Sequence, residues 1–124
     1  MTNQKVVVTE AVNNNTNTVL THHLEAFGDN NLKEIIADYS EDATIFTLSR
    51  EITGITAIED FFIDLFRLIP KGSSFTMKQS RVKDNIAYIV WESQNEANET
   101  YLGSDTFVLE GNKIKYHTLI MSKK

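Results

Sequence analysis

The residues of this chain best suited to move protons are three imidazoles, His22, His23 and His117, and two carboxylates in apolar surroundings, Asp105 and Glu92. Alternation along 101–110 puts Gly103, Asp105, Phe107 and Leu109 on one face and Ser104, Thr106 and Val108 on the other. The more apolar face therefore carries Asp105. A carboxylate so placed either finds hydrogen-bond partners or has its pKa raised by desolvation until it holds a proton, and such groups collect at functional sites. The plainer alternative is a buried Asp satisfied by backbone amides. His23 falls within the apolar stripe of a helix, whereas His22 is rotated about 100° from it and should face solvent. His117 alternates with Tyr116 and Thr118 on a strand whose two faces are both mixed, so alternation does not place it. Glu92 follows Val90 and Tyr88 on one strand face near the strand end, where a solvated carboxylate is the simpler reading.

Other chemistries lose their markers. No H-x-x-x-H spacing joins the histidines and there is no cysteine, so neither a metal site nor a thiolate nucleophile is expected. G-x-S-x-G, P-loop and dinucleotide fingerprints are absent, and no cofactor is expected. Twelve basic against 17 acidic residues give a net charge of -5, with the basic residues scattered, which argues against nucleic acid as a partner. The longest apolar run, 86–91, is far short of the roughly 20 residues of a membrane helix. With no signal-peptide pattern either, a cytoplasmic protein is expected, and two formal glycosylation sequons, at Asn14 and Asn98, carry no weight.

The elements that must position these groups can be read from periodicity. At 124 residues, against about 150 per domain, there is room for one domain. Residues 1–15 show no period that reaches the rest of the chain and read as a loosely held tail before a domain at 16–124. Leu20, Leu24 and Phe27 at i, i+4 and i+7 predict a first helix from Thr16, stopped by Gly28-Asp29. Asn31 with Glu34 forms a capping-box-like start to a second, in which Leu32, Ile35, Ile36 and Tyr39 share a face. Residues 43–48 read as a strand. Thr56 and Glu59 form a second capping box, followed by the stripe Ile58, Phe61, Phe62, Leu65 and Ile69. Four β-type runs follow, at 74–83, 86–94, 101–110 and 113–121, with tight turns at Asp84-Asn85 and Gly111-Asn112. Helices first and a strand meander after them predict an α+β domain with helices on one sheet face.

The run 86–91 is apolar on both faces, whereas a strand with one wet face alternates. Helices cover one side, so the other, which alternation from Val90 assigns to Trp91, is expected to be buried against a second subunit.

The segment 23–29 (HLEAFGD), the run 39–44 (YSEDAT), the segment 54–62 (GITAIEDFF) and Ser104-Asp105-Thr106-Phe107 before Gly111-Asn112-Lys113-Ile114 together resemble, in order and spacing, the SnoaL-like branch of the nuclear transport factor 2-like superfamily. The resemblance spans about residues 16–121. It implies a cystatin-like cone in which three N-terminal helices pack in a strongly curved, mainly antiparallel sheet around a central pocket, usually in a homodimer formed through the outer sheet face. Ketosteroid isomerases of that superfamily use a helix-one Tyr and a protonated strand Asp as oxyanion hole, with a carboxylate base on the first strand. The resemblance puts His23 at the Tyr, Asp105 at the Asp and Thr47 at the base, and Phe62 replaces a supporting Tyr. Without the base, steroid isomerisation by that route is not expected. The same alignment directs Ile45, Val90, Glu92, Phe107, His117 and Met121 toward the cavity, with Phe27, Phe62 and Phe66 among its aromatic walls.

The site so implied is a mostly apolar small-molecule pocket with His23, Glu92, Asp105 and His117 as its polar groups. In an acid-base enzyme, His117 or His23 would accept a proton and a neutral Asp105 would donate to a carbonyl or enolate oxygen. The alternative is a non-catalytic binding or carrier module using the same cavity. Contacts of about 3 Å among these groups favour the enzyme; outward-pointing side chains favour the carrier.

Overall fold

A computed structural model describes the backbone of residues 2–124 and the side chains of residues 10–124. Three helices, α1 (Thr2–Gly28), α2 (Leu32–Ala37) and α3 (Ile55–Leu68), accompany six strands: β1 (Tyr39–Phe46), β2 (Glu51–Thr53), β3 (Thr76–Lys83), β4 (Ile86–Gln94), β5 (Thr100–Glu110) and β6 (Lys113–Lys123). The strands form one sheet in the order β2-β1-β6-β5-β4-β3, antiparallel throughout except for the parallel β1–β6 pair. The helices cover one face and the core lies between. Among the described residues no helix is long and apolar enough to cross a membrane.

Element boundaries differ from the periodicity in three places. The first helix begins well before Thr16. Its middle is tied to two β-turns: Asp84 N donates to Asn13 Oδ1 at 2.6 Å, Asn15 Nδ2 to Gly111 O at 2.8 Å, and the fully buried Thr16 hydroxyl reaches Asp84 O at 2.6 Å. Polar side chains satisfying turn backbone carry no apolar period, which is why the segment gives no helical signal. The second helix ends at Ala37, and Tyr39 opens β1 instead of closing the helix. Asn31 does cap α2, accepting from Glu34 N at 3.3 Å. The third helix starts at Ile55 behind the N-cap Gly54, not at a Thr56 box: with φ +92° Gly54 turns the chain out of the short, unpredicted β2, and its carbonyl accepts the first helical bond from Ile58 N. Ile58, Phe62 and Leu65, at i, i+4 and i+7, are the buried face of α3.

Strand parity is the finding that matters for the site. Ala87, Ile89, Trp91 and Ser93 are buried, while Ile86, Tyr88, Val90 and Glu92 lie on the other, more exposed face. The expectation that Trp91 faces outward is therefore overturned: it is 3% exposed and sits under the helices. Its register partner in β5 is Gly103, and Ile89 pairs with Asp105, so the two aligned strands put Trp91 and Asp105 on one face. Gly103 leaves the room that the indole occupies; a Cβ there would lie 2.1 Å from Trp91 Cζ2. Val90 and Glu92, expected to point into the cavity, point away from it, and Glu92 pairs with Lys124 at 2.9 Å and Lys78 at 3.5 Å. In β6 a register shift between Val108 and Leu109 of the partner strand lets Ile114 and His117, three residues apart, both face inward.

Candidate functional site

Tyr39 at the start of β1, Trp91 in β4, Asp105 in β5 and His117 in β6 converge on the concealed sheet face beneath α1 and α3, and all four are at least 94% buried. They form one hydrogen-bonded chain. Trp91 Nε1 donates to Asp105 Oδ2 at 2.6 Å, His117 Nε2 meets Asp105 Oδ1 at 2.8 Å, and the Tyr39 hydroxyl meets His117 Nδ1 at 2.8 Å. Desolvation, reinforced by the Asp105 and Asp38 carboxylates, pushes the Tyr39 phenol well above the ordinary tyrosine range. Tyr39 therefore stays a hydroxyl, and its only acceptor among the described residues is His117 Nδ1. With Nδ1 accepting from Tyr39, the ring proton of His117 lies on Nε2 and is donated to Asp105 Oδ1. Each oxygen of Asp105 already has a protein donor, so the role expected for it, a neutral acid donating to a ligand, finds no free oxygen.

His23, projected from α1 into the same space, is different. Its ring stands edge-on to Tyr39, Phe62, Phe107 and His117 with centroid separations of 5.2–6.1 Å. Nδ1 is buried without a hydrogen-bond partner; the nearest carboxylate oxygen, Asp38 Oδ2, is 3.5 Å away. Burial lowers its pKa below the usual histidine value, with the neighbouring His117 adding to the effect against the opposing pull of Asp38 and Asp105. At neutral pH it is an uncharged imidazole. Asp38, which caps the C-terminus of α2, is mainly committed to His22, whose Nδ1 lies 2.7 and 2.8 Å from its two oxygens. His22 is consequently half-buried rather than free in solvent, with a pKa raised chiefly by that hydrogen bond.

These groups enclose a cavity of about 30 Å³ bounded also by Leu24, Phe27, Phe62, Leu65, Phe75, Phe107 and Leu119. That is room for about one water. A second, open cleft of about 280 Å³ lies against it, sharing Leu65 and Leu119 as walls. Of the residues singled out from the sequence, His23, Asp105, His117, Phe27, Phe62 and Phe107 line the small cavity; Phe66 backs it, 5.9 Å from Phe27 and 6.3 Å from Phe62. Thr47 and Met121 line the larger cleft, and Ile45 is wholly buried beside His117 in the β1–β6 register. Tyr39, Trp91 and Asp38 were not singled out as site residues, Trp91 being assigned to a subunit interface and Tyr39 to the second helix. All three carry a polar atom that must find a partner when buried, but only the correct strand parity and the end of α2 make that requirement visible.

No family model and no curated protein matches the sequence. Solved structures do match in three dimensions. A candidate ketosteroid isomerase from Kribbella flavida DSM 17836 is 14% identical, covers 94% of this chain and 83% of its own, and superposes with a TM-score of 0.77. A candidate SnoaL-like polyketide cyclase from Shewanella putrefaciens CN-32 is 13% identical over 86% of this chain and 79% of its own, with a TM-score of 0.70. A protein of unknown function with a cystatin-like fold from Methylobium petroleophilum PM1 is 12% identical over 89% and 77%, with a TM-score of 0.73. At these identities the likeness concerns the backbone, and it shows that this chain has the cystatin-like fold shared by NTF2-like, SnoaL-like and ketosteroid-isomerase-like proteins.

Proposed function

We propose that the chain binds a small, largely apolar carbonyl compound between its helices and sheet, and that His23 acts on it as proton acceptor. The observation that carries this reading is the buried imidazole of His23, whose Nδ1 has no hydrogen-bond partner: an uncharged base within an aromatic wall, next to a space that admits one polar group. Of the two expected proton acceptors, His117 has both nitrogens occupied, by Asp105 and Tyr39. His23 with its proton on Nδ1, toward Asp38, leaves Nε2 as the base. The Tyr39–His117–Asp105–Trp91 chain is then the rigid floor of the small cavity that receives the ligand's carbonyl group. Candidate isomerases and cyclases among the structures of the same fold agree with proton transfer next to a carbonyl as the reaction type.

Trp91 is the sole tryptophan and stacks on Phe75 at 5.5 Å in the cavity wall, so its emission reports occupancy. Titration with 2-cyclohexen-1-one and 1-decalone should change that emission, and deuterium exchange next to the ketone should exceed the buffer rate. His23→Gln should still bind but lose about 10²-fold or more of the exchange. Binding with no acceleration in either protein would establish the carrier alternative. No change in Trp91 emission with either ketone would refute both.

The outer sheet face is proposed as a homodimer interface, with a different set of residues from the one expected. Tyr88, Leu102, Tyr116, Ile120 and Phe46 are 37–54% exposed on that face and lie on neighbouring strands. Sedimentation should give about twice 14.1 kDa, and Ile120→Glu should return it to one chain's mass. A wild-type monomer at micromolar concentration would exclude the interface.

A further inference from the structure

A cavity that holds one water cannot take the body of a ligand, so, resting on the reading above, the body must lie outside it. The adjoining 280 Å³ cleft is the space available, separated from His23 by the shared side chains of Leu65 and Leu119. Phe61, Leu68 and Met121 continue its apolar wall. Its rim is the tight turn between β1 and β2, which is fixed by its own hydrogen bonds: Thr47 N donates to Arg50 O at 3.0 Å, and Thr47 Oγ1 accepts from Arg50 N at 3.2 Å. Arg50, on that turn, lines the cleft and has no carboxylate partner among the described residues. The other charged residue of the cleft, Asp64, is paired with Arg67 at 3.3 Å. One unpaired guanidinium at the mouth of an apolar cleft matches one ligand chemistry.

We infer that the cleft takes an apolar monocarboxylate, its carboxylate on Arg50 and its hydrocarbon body against Phe61, Leu65, Leu68 and Met121. A guanidinium offers a carboxylate two parallel donors, which an alcohol or a ketone cannot use. The chain as a whole carries a net charge of -5 and repels anions, so any preference for an acid over its neutral analogue must arise locally. The inference adds a substrate class to the pocket and makes Arg50 a specificity-determining residue.

Decanoate and 1-decanol, equal in length and different in charge, separate the two ideas in calorimetric titrations of wild type, Arg50→Gln and Arg50→Lys. Decanoate should bind more tightly than 1-decanol to wild type. Arg50→Gln should weaken decanoate about fivefold and leave 1-decanol unchanged, and Arg50→Lys, which keeps the charge but not the two parallel donors, should retain only part of the difference. The decanoate preference should shrink as salt rises. Equal binding of the two ligands to wild type, or equal decanoate binding by wild type and Arg50→Gln, overturns the carboxylate inference and leaves the apolar pocket standing. Binding of neither overturns the inference, while the ketone titrations judge the pocket by themselves.

Discussion

Asp105→Ala is expected to lower the free energy of unfolding by about 3–5 kcal/mol. The change removes two acceptors at once. Trp91 N–H and His117 N–H, both buried, lose their only partners, and each unsatisfied buried donor costs about 1–3 kcal/mol. The void left by the carboxylate adds to this. For a chain of this length the loss corresponds to a fall in Tm of roughly 10–20 °C. Asp105→Asn should cost markedly less, because shape is kept and the amide carbonyl can still accept from Trp91. Its NH2 group faces His117 Nε2, which must become an acceptor by moving the imidazole proton to Nδ1. That proton then points at the Tyr39 oxygen, so the tautomer change propagates along the chain. Denaturant titration, with near-ultraviolet circular dichroism of Trp91 and Tyr39 as a second probe, measures both variants. An Asp105→Ala protein within 1 kcal/mol of wild type would show that the network contributes little.

The same network explains which parts of the site were legible in sequence. Asp105 and His23 were found because a polar residue in an apolar period is visible from one element alone: strand alternation for the first, the helical stripe for the second. His117 was reached only through the family resemblance, since the register shift beside Ile114 breaks its alternation. Val90 and Glu92 were misplaced for a related reason. A strand apolar on both faces gives no inward direction by itself; the cue lies in its neighbour, where Gly103 leaves room for a large inward side chain opposite it. Tyr39 was lost to the end of a helix because Leu32, Ile35, Ile36 and Tyr39 fit a helical stripe although Asp38 ends the helix. Asp38, between two histidines, depends on a contact between α1 and the end of α2 that no local pattern encodes. The fold was more legible than the site because its layers follow from helix and strand periods, whereas the hydrogen-bonded chain depends on the register of four strands.

Gly103→Ala is expected to cost about 2–4 kcal/mol, against the ordinary effect of such a change. Gly103 has extended backbone with no positive φ, and replacing glycine by alanine in such a conformation normally stabilises by about 0.4–1 kcal/mol through the unfolded chain. Here the added methyl would lie 2.1 Å from Trp91 Cζ2 and 2.3 Å from Cε2, so the indole must move. It is held by Phe75, stacked at 5.5 Å, and at its edge by the 2.6 Å bond to Asp105. Overpacking costs about 1–3 kcal/mol, and tilting the indole weakens the bond to Asp105 as well. Trp91 emission should shift to the red as the ring moves toward water. The cause can be isolated in a Trp91→Phe background, where the smaller ring lacks the atoms that clash. There Gly103→Ala should be neutral or slightly stabilising, giving a coupling of about 2 kcal/mol or more between the two positions. An equal cost in both backgrounds would place the strain in the backbone of β5 and remove Gly103 as the residue that admits Trp91 to the site.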